Sequence, residues 1–312
     1  EQVTGVTDDA LLERARASAQ QALRAGITTI RDLGDRAYLT LRLRHDPDLP
    51  TILCAGPPIT RVGGHCHYLR GEADGEAALV AAVRDRHDHQ CDVVKIMATG
   101  GAGTPTFPMW KSQFTTVELR AVVDEAHALG MPVASHCHGV AGIEQSVEVG
   151  VDSIEHCTFF TEAGRSEPDE DLMGRIAASG VCVSATLGFL PGAPLTNPVM
   201  VANRETVVAA RRRLHDLGAT IVAGTDAGIT PAKPHDVLPH ALRDLVGVGM
   251  SHLEGLRALT SGAAAACHVG DRKGRLARGW DADLFAVAGD PTVDSDALLA
   301  PVAVWRGGRR LR

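Results

Sequence analysis

The chain has 312 residues, 45% of them hydrophobic and 22% charged, with a formal net charge of -7 and a pI near 6.0. That composition supplies a sizeable core and excludes a disordered, collagen-like or coiled-coil chain. The acidic balance argues against a general nucleic-acid binder, and no apolar run is long enough to cross a bilayer.

Seven cysteines are scattered with no CxxC pair, which reads as reduced thiols in a cytoplasmic protein. The chain opens on Glu1-Gln2-Val3 and not on Met. The expectation is either processing or a longer parent chain. In chain order, a helical pattern over Asp8–Arg24 comes first. Apolar, β-branched runs follow at Ile27–Leu33, Thr51–Gly56, Cys91–Ala98, Met131–His136, Val151–His156, Val181–Leu187 and Ala219–Asp226. Their nearly continuous apolar character suits parallel strands covered on both faces by helices. Thr115–Glu118 and Ser251–Glu254 carry capping-box patterns. Gly26, Gly130, Gly150, Gly180 and Gly218 each stand between a helix and the next strand, where a left-handed cap is wanted.

This repetition predicts an α/β protein, and at this length a (β/α)8 TIM-type barrel. An open doubly wound sheet is the alternative. It would carry a phosphate-loop fingerprint, and the sole candidate, Gly100-Gly101-Ala102-Gly103, reads better as a flexible loop. The strand count is one short of eight, so the first strand of the barrel is expected to be missing ahead of the Asp8–Arg24 helix. Residues 1–268 are assigned to the N-terminally incomplete barrel. Residues 269–312, with short strands in Lys273–Asp290 and Val302–Leu311, are assigned to part of a small β module.

In such a barrel the reactive groups lie at the C-terminal strand ends. Four runs deliver Lys95, His136, His156 and Asp226 to that rim. Lys95 is one of four lysines and stands inside an apolar run, Val93-Val94-Lys95-Ile96. A buried amine must be paired, neutral or modified. One reading packs its stem in the strand with the head on a carboxylate. The reading favoured beside His136 and His156 is a neutral amine that takes up carbon dioxide and binds cations as a carbamate. His136-Cys137-His138 and His65-Cys66-His67 both space two histidines by two, which on a strand share a face. His136 falls at the strand end, His138 in the loop facing substrate, and His65 in a glycine-led loop that also suits substrate. Loops 99–113 and 188–200 are expected to choose the substrate.

Several stretches in fixed order carry a family resemblance. They are residues 25–34 (AGITTIRDLG), Gly63-Gly64-His65, residues 92–97 (DVVKIM), 133–139 (VASHCHG), 150–156 (GVDSIEH), 223–228 (AGTDAG) and the tail 274–284 (GRLARGWDADL). The chain resembles the amidohydrolase superfamily, in its imidazolonepropionase-like and Xaa-Pro dipeptidase-like branch. The resemblance implies a hydrolase for amide, peptide or cyclic amide C–N bonds, using one or two divalent ions, zinc by expectation. It matches Lys95 to a carboxylated lysine bridging two metals, and His136 and His156 to metal ligands. Asp226 matches a metal ligand and proton carrier, and His65 and His138 match substrate contacts. The family's first-strand His-x-His has no counterpart here. The alternative is therefore a truncated, non-catalytic homologue that binds a ligand or partner without turnover. A small-molecule substrate is implied, with no nucleic-acid or membrane partner. A homo-oligomer is left open.

Overall fold

The computed structural model describes residues 3–194 and 197–311. Glu1, Gln2, Leu195, Thr196 and Arg312, which touch the expected chain start, the 188–200 loop and the last module, lie outside the described residues. In chain order the elements begin with α1 (Asp8–Arg24), β1 (Thr29–Asp32), β2 (Thr51–Cys54), α2 (Glu76–Asp88), β3 (Val94–Ile96) and α3 (Thr116–Ala128). Next come β4 (Val133–Gly139), α4 (Val140–Val149), β5 (Ser153–Phe160), α5 (Glu170–Ser179) and β6 (Cys182–Ser184). The short α6 (Pro198–Ala202), α7 (Arg204–Asp216), β7 (Thr220–Val222), α8 (Ala241–Gly247), α9 (His252–Leu259) and α10 (Ser261–Ala266) follow. The chain ends on β8 (Leu284–Val287), β9 (Pro301–Arg306) and β10 (Arg309–Arg310).

The sheet is parallel and its strands are ordered as in the sequence. β1 pairs with β2, and β3 through β7 form one ladder. The two parts are joined where the Ile59 amide donates to the Lys95 carbonyl at 2.8 Å and the Met97 amide to the Ile59 carbonyl at 2.9 Å. This is the strand sequence of a (β/α) barrel. Among the described residues no strand pairs with the outer edge of β1 or of β7. Buried Val94, Ile96, Val133, Ile154 and Val183 from the strands join Leu119, Val122, Ile143, Leu172 and Ile176 from the helices in one continuous core. Fully burying each of these side chains is worth about 1.5–3 kcal/mol.

The local signals behave as their chemistry requires. The Thr115 and Ser251 hydroxyls both receive the amide three residues on, and the glutamates at 118 and 254 reach back to complete both capping boxes. The capping glycines all take positive φ, from +73° at Gly130 to +91° at Gly26. At Gly26 a Cβ would also stand 2.4 Å from the Phe285 ring, so α1 turns directly against β8. β8, β9 and β10 form a separate antiparallel sheet, in order β10-β9-β8.

Two strands run further than their apolar patterns. β4 continues through His138 to Gly139, and β5 through His156 to Phe160. The expectation of His138 in a loop is thereby corrected: it lies on the strand, two residues beyond His136 and on the same face. The 99–113 loop is held by the Gly100 amide on the Lys111 carbonyl (2.9 Å) and the Gln113 amide on the Ala98 carbonyl (2.8 Å).

Candidate active site

Parallel register places Lys95 opposite Ala134, Ala134 opposite Ser153, and His136 opposite Glu155. Residues paired in this way share a face, so Lys95, His136 and Glu155 all look into the ring. Alternation would then turn His156 outward. The backbone breaks the alternation: His156 has φ +74° and Cys157 +50°, and the β4–β5 register slips between Cys137 and Gly139. Such irregularities re-aim side chains, and histidine tolerates the left-handed region better than most residues. His156 consequently swings back over the strand end, its Nε2 2.9 Å from His136 Nδ1.

Four imidazoles cluster at this rim, one pair stacked and the others tilted or edge-on. The ring centroids are 4.5 Å apart for His136–His156, 4.8 Å for His136–His138, 4.4 Å for His138–His156 and 4.6 Å for His65–His136. His136, His138 and His156 each offer a ligand atom, all within 4.8 Å of one another. Their outer nitrogens are held. The Gly100 carbonyl accepts from His136 Nε2 at 3.1 Å, and the Thr158 hydroxyl lies 2.9 Å from His138 Nδ1. The Thr186 hydroxyl stands 3.2 Å from His156 Nδ1. Metal-binding histidines are oriented in this way, with one nitrogen fixed and the other lone pair aimed inward. His65 is tied through Nδ1 to the Thr104 hydroxyl at 3.1 Å. Its ring fits only because residue 101 is glycine, where a Cβ would stand 2.3 Å away. His67 is exposed in the following turn and takes no part.

Burial sets the charge states. It lowers His138 to about 3 and His65 to about 4, and drives His136 and His156 well below the ordinary imidazole range. Neutral imidazoles are what a cation requires. Lys95, 5% exposed, is pushed down by desolvation against the pull of Glu155. No hydrogen bond or ion pair ends on its amine among the described residues. Beneath it Arg31 reaches from β1 to β5 and pairs with Glu155 at 2.9 Å, with Ser153 also on Glu155 at 2.9 Å.

Asp226 follows edge strand β7, with φ +56°, and is solvent-accessible. Desolvation by the surrounding protein still raises its carboxyl, against Lys233 and Lys95. The histidine ligand group does not include it. His136 and His156 are thus brought together as the motifs suggest, His138 joins them, His65 packs alongside, and Asp226 stands apart. Sequence reasoning missed Arg31, Glu155, Thr158, Thr186 and Gln113. Gln113 is fully buried and ties the Met97 and Thr99 carbonyls to the His65 amide. Arg31 and Glu155 carry the signal that marked Lys95, a charge inside an apolar strand. The threonines carried none.

The profile described as the amidohydrolase family matches residues 2–311. The chain belongs to the amidohydrolase family. Among its amidohydrolase relatives is the ochratoxinase of Aspergillus niger, 27% identical over 337 residues, covering 93% of this chain and 66% of that protein. The imidazolonepropionase of Salinispora tropica is 29% identical over 291 residues, covering 89% and 65%. The chain therefore spans about two thirds of the length of these relatives. Among solved structures, a Xaa-Pro dipeptidase with methionine bound in its active site superimposes with a TM-score of 0.85 at 27% identity, over 98% of this chain and 80% of that one.

Proposed function

We propose that this chain forms the catalytic barrel, over residues 1–268, of a metal-dependent hydrolase that cleaves an amide, peptide or cyclic amide C–N bond. Residues 269–312 serve as an accessory β module. The observation that carries the reading is the buried, neutral His136–His138–His156 cluster with ligand atoms within 4.8 Å, at the rim above the Lys95 amine. The donor set suits a divalent ion of the zinc type. Among the structural relatives, the dipeptidase is named for peptide hydrolysis.

When bound, a divalent ion supplies Lewis acidity and lowers the pKa of water. The residues of this chain do the rest. His136 and His156 present lone pairs, held in place by the Gly100 carbonyl and the Thr186 hydroxyl. Lys95, desolvated and so favoured as a neutral amine, adds to carbon dioxide through its nitrogen. The product is a carbamate, with one proton released to solvent. Asp226, accessible at the rim, passes a proton to the leaving nitrogen. His65 and His138 border the substrate, with His138 also within reach of the ion. Six of the seven free cysteines are buried, in keeping with a reducing cytoplasmic setting.

The test is metal analysis after growth with zinc, manganese or cobalt, followed by assay on dipeptides, N-acyl amino acids and cyclic amides. At least one ion per chain, with metal-dependent hydrolysis, is expected. No tightly bound ion and no turnover would sink the reading. Metal uptake with no hydrolysis would select the alternative, binding without turnover.

A further inference from the structure

Lys233 lies in the loop after β7 and is 4% exposed. Its amine donates to the Thr186 carbonyl at 2.8 Å and to the Thr225 carbonyl at 2.7 Å, and stands 4.2 Å from the centroid of the Phe189 ring. No carboxylate pairs with it among the described residues. A buried ammonium held only by main-chain dipoles and a ring face is a costly arrangement for surface packing alone.

Its two acceptors come from different strand ends. Thr186 follows β6 and Thr225 follows β7. Both ends hold backbone that side-chain-bearing residues avoid: Thr186 has φ +41°, and Asp226, next to Thr225, has φ +56°. A β-branched residue in that region is an outlier that persists only when its surroundings over-determine it. The lysine's own loop is anchored, since the Lys233 carbonyl accepts from the Gly228 amide at 2.7 Å and the Lys233 amide donates to the Thr230 carbonyl at 3.0 Å. The Leu190 amide donates to the Ala232 carbonyl at 2.9 Å, which ties the post-β6 loop to the same turn. Thr186 carries the hydroxyl that meets His156 Nδ1. One amine thus grips the residue that orients His156 and the residue that precedes Asp226.

We propose that Lys233 is a positioning residue of the hydrolytic site, a clamp across the β6 and β7 ends that sets His156 and Asp226 relative to each other. This rests on the hydrolase reading above. The Lys233 amine is taken up by the Thr186 and Thr225 carbonyls, so it acts on the site through the residues it holds.

The test compares wild type with Lys233→Met, which keeps the stem and removes the donors, and with Lys233→Gln should the first variant not fold. Metal-free crystal structures are expected to lose the left-handed backbone at Thr186 and the His156–Thr186 contact. Cobalt-loaded protein should show an altered ligand-field spectrum. The kcat should fall about 10–100-fold with KM within about threefold, the signature of a misplaced catalytic group. Unchanged backbone at Thr186 and Asp226, or an unchanged spectrum and kcat, overturns the clamp. A wild-type protein that takes up no cobalt and hydrolyses nothing sinks the hydrolase reading instead, and the metal-free structures still decide the role of Lys233.

Discussion

Glu155 and His156 are consecutive on one strand, yet both act on the interior of the ring. Glu155 receives Arg31 at 2.9 Å, and His156 lies 2.9 Å from His136. The left-handed backbone at His156, φ +74°, makes this arrangement possible. It brings a buried ion pair and an imidazole of the histidine cluster together on adjacent residues.

The cluster separates His138 from His65. His138 offers a ligand atom with His136 and His156, whereas His65 only packs against His136. His138→Asn should lower metal affinity by about 10-fold or more, in line with the loss of a close metal-site group. His65→Asn should retain metal and raise KM. Metal titration followed by colour change of a chelator checks both. Equal metal loss in the two variants would refute the division of roles.

Lys95 should behave as a reactive amine. Lys95→Ala is expected to remove tightly bound metal and activity together while the helical circular dichroism stays unchanged. Bicarbonate added during metal loading should speed wild-type activation and leave the variant unaffected. Full metal content and activity in the variant would remove Lys95 from the chemistry.

Arg31 and Glu155 form a pair with side chains only 10% and 6% exposed. Removing one partner leaves a buried charge, so Arg31→Met should cost about 3–5 kcal/mol. Adding Glu155→Gln to Arg31→Met should cost clearly less than the sum of the two single changes, as for contacting charges. Urea melts of the four proteins measure this, and strict additivity would show that the pair is not coupled.

Asp35 provides a pH test away from the cluster. Its Oδ2 accepts from Thr40, its Oδ1 is buried with no hydrogen-bond partner among the described residues, and desolvation with help from Asp32 raises its carboxyl to about 6. A raised folded pKa means the native state holds the proton longer than the unfolded chain. Stability is full below the unfolded value near 3.8 and is lost as pH rises through about 6. Asp35→Asn should therefore match wild type near about pH 4 and exceed it by about 1–3 kcal/mol near about pH 8, since each pKa unit is worth about 1.4 kcal/mol. A difference between the two proteins that does not vary with pH contradicts the assignment.

Most of the scaffold was legible in the chain. A strand begins within each of the seven apolar runs, both capping boxes form, and the spacer glycines take positive φ. These features depend on local periodicity and on backbone sterics, which neighbouring residues largely determine. His136 and His156 were legible for the same reason, as polar groups closing apolar runs of the sequence. The extension of β4 through His138 was not, because Cys-His-Gly after His136 has the composition of a turn, and only pairing with β5 keeps it extended.

The amino-acid order alone determined an α/β chain with a lysine and histidines at its strand ends, because helix and strand periods and caps are short-range properties. Tertiary structure alone decided which of those groups meet. The left-handed turn of His156, the fit of the His65 ring over Gly101, the Arg31 bridge to Glu155 and the Lys233 clamp all join residues distant in sequence or defy strand alternation. Each depends on close packing of several elements at once, which no local pattern encodes.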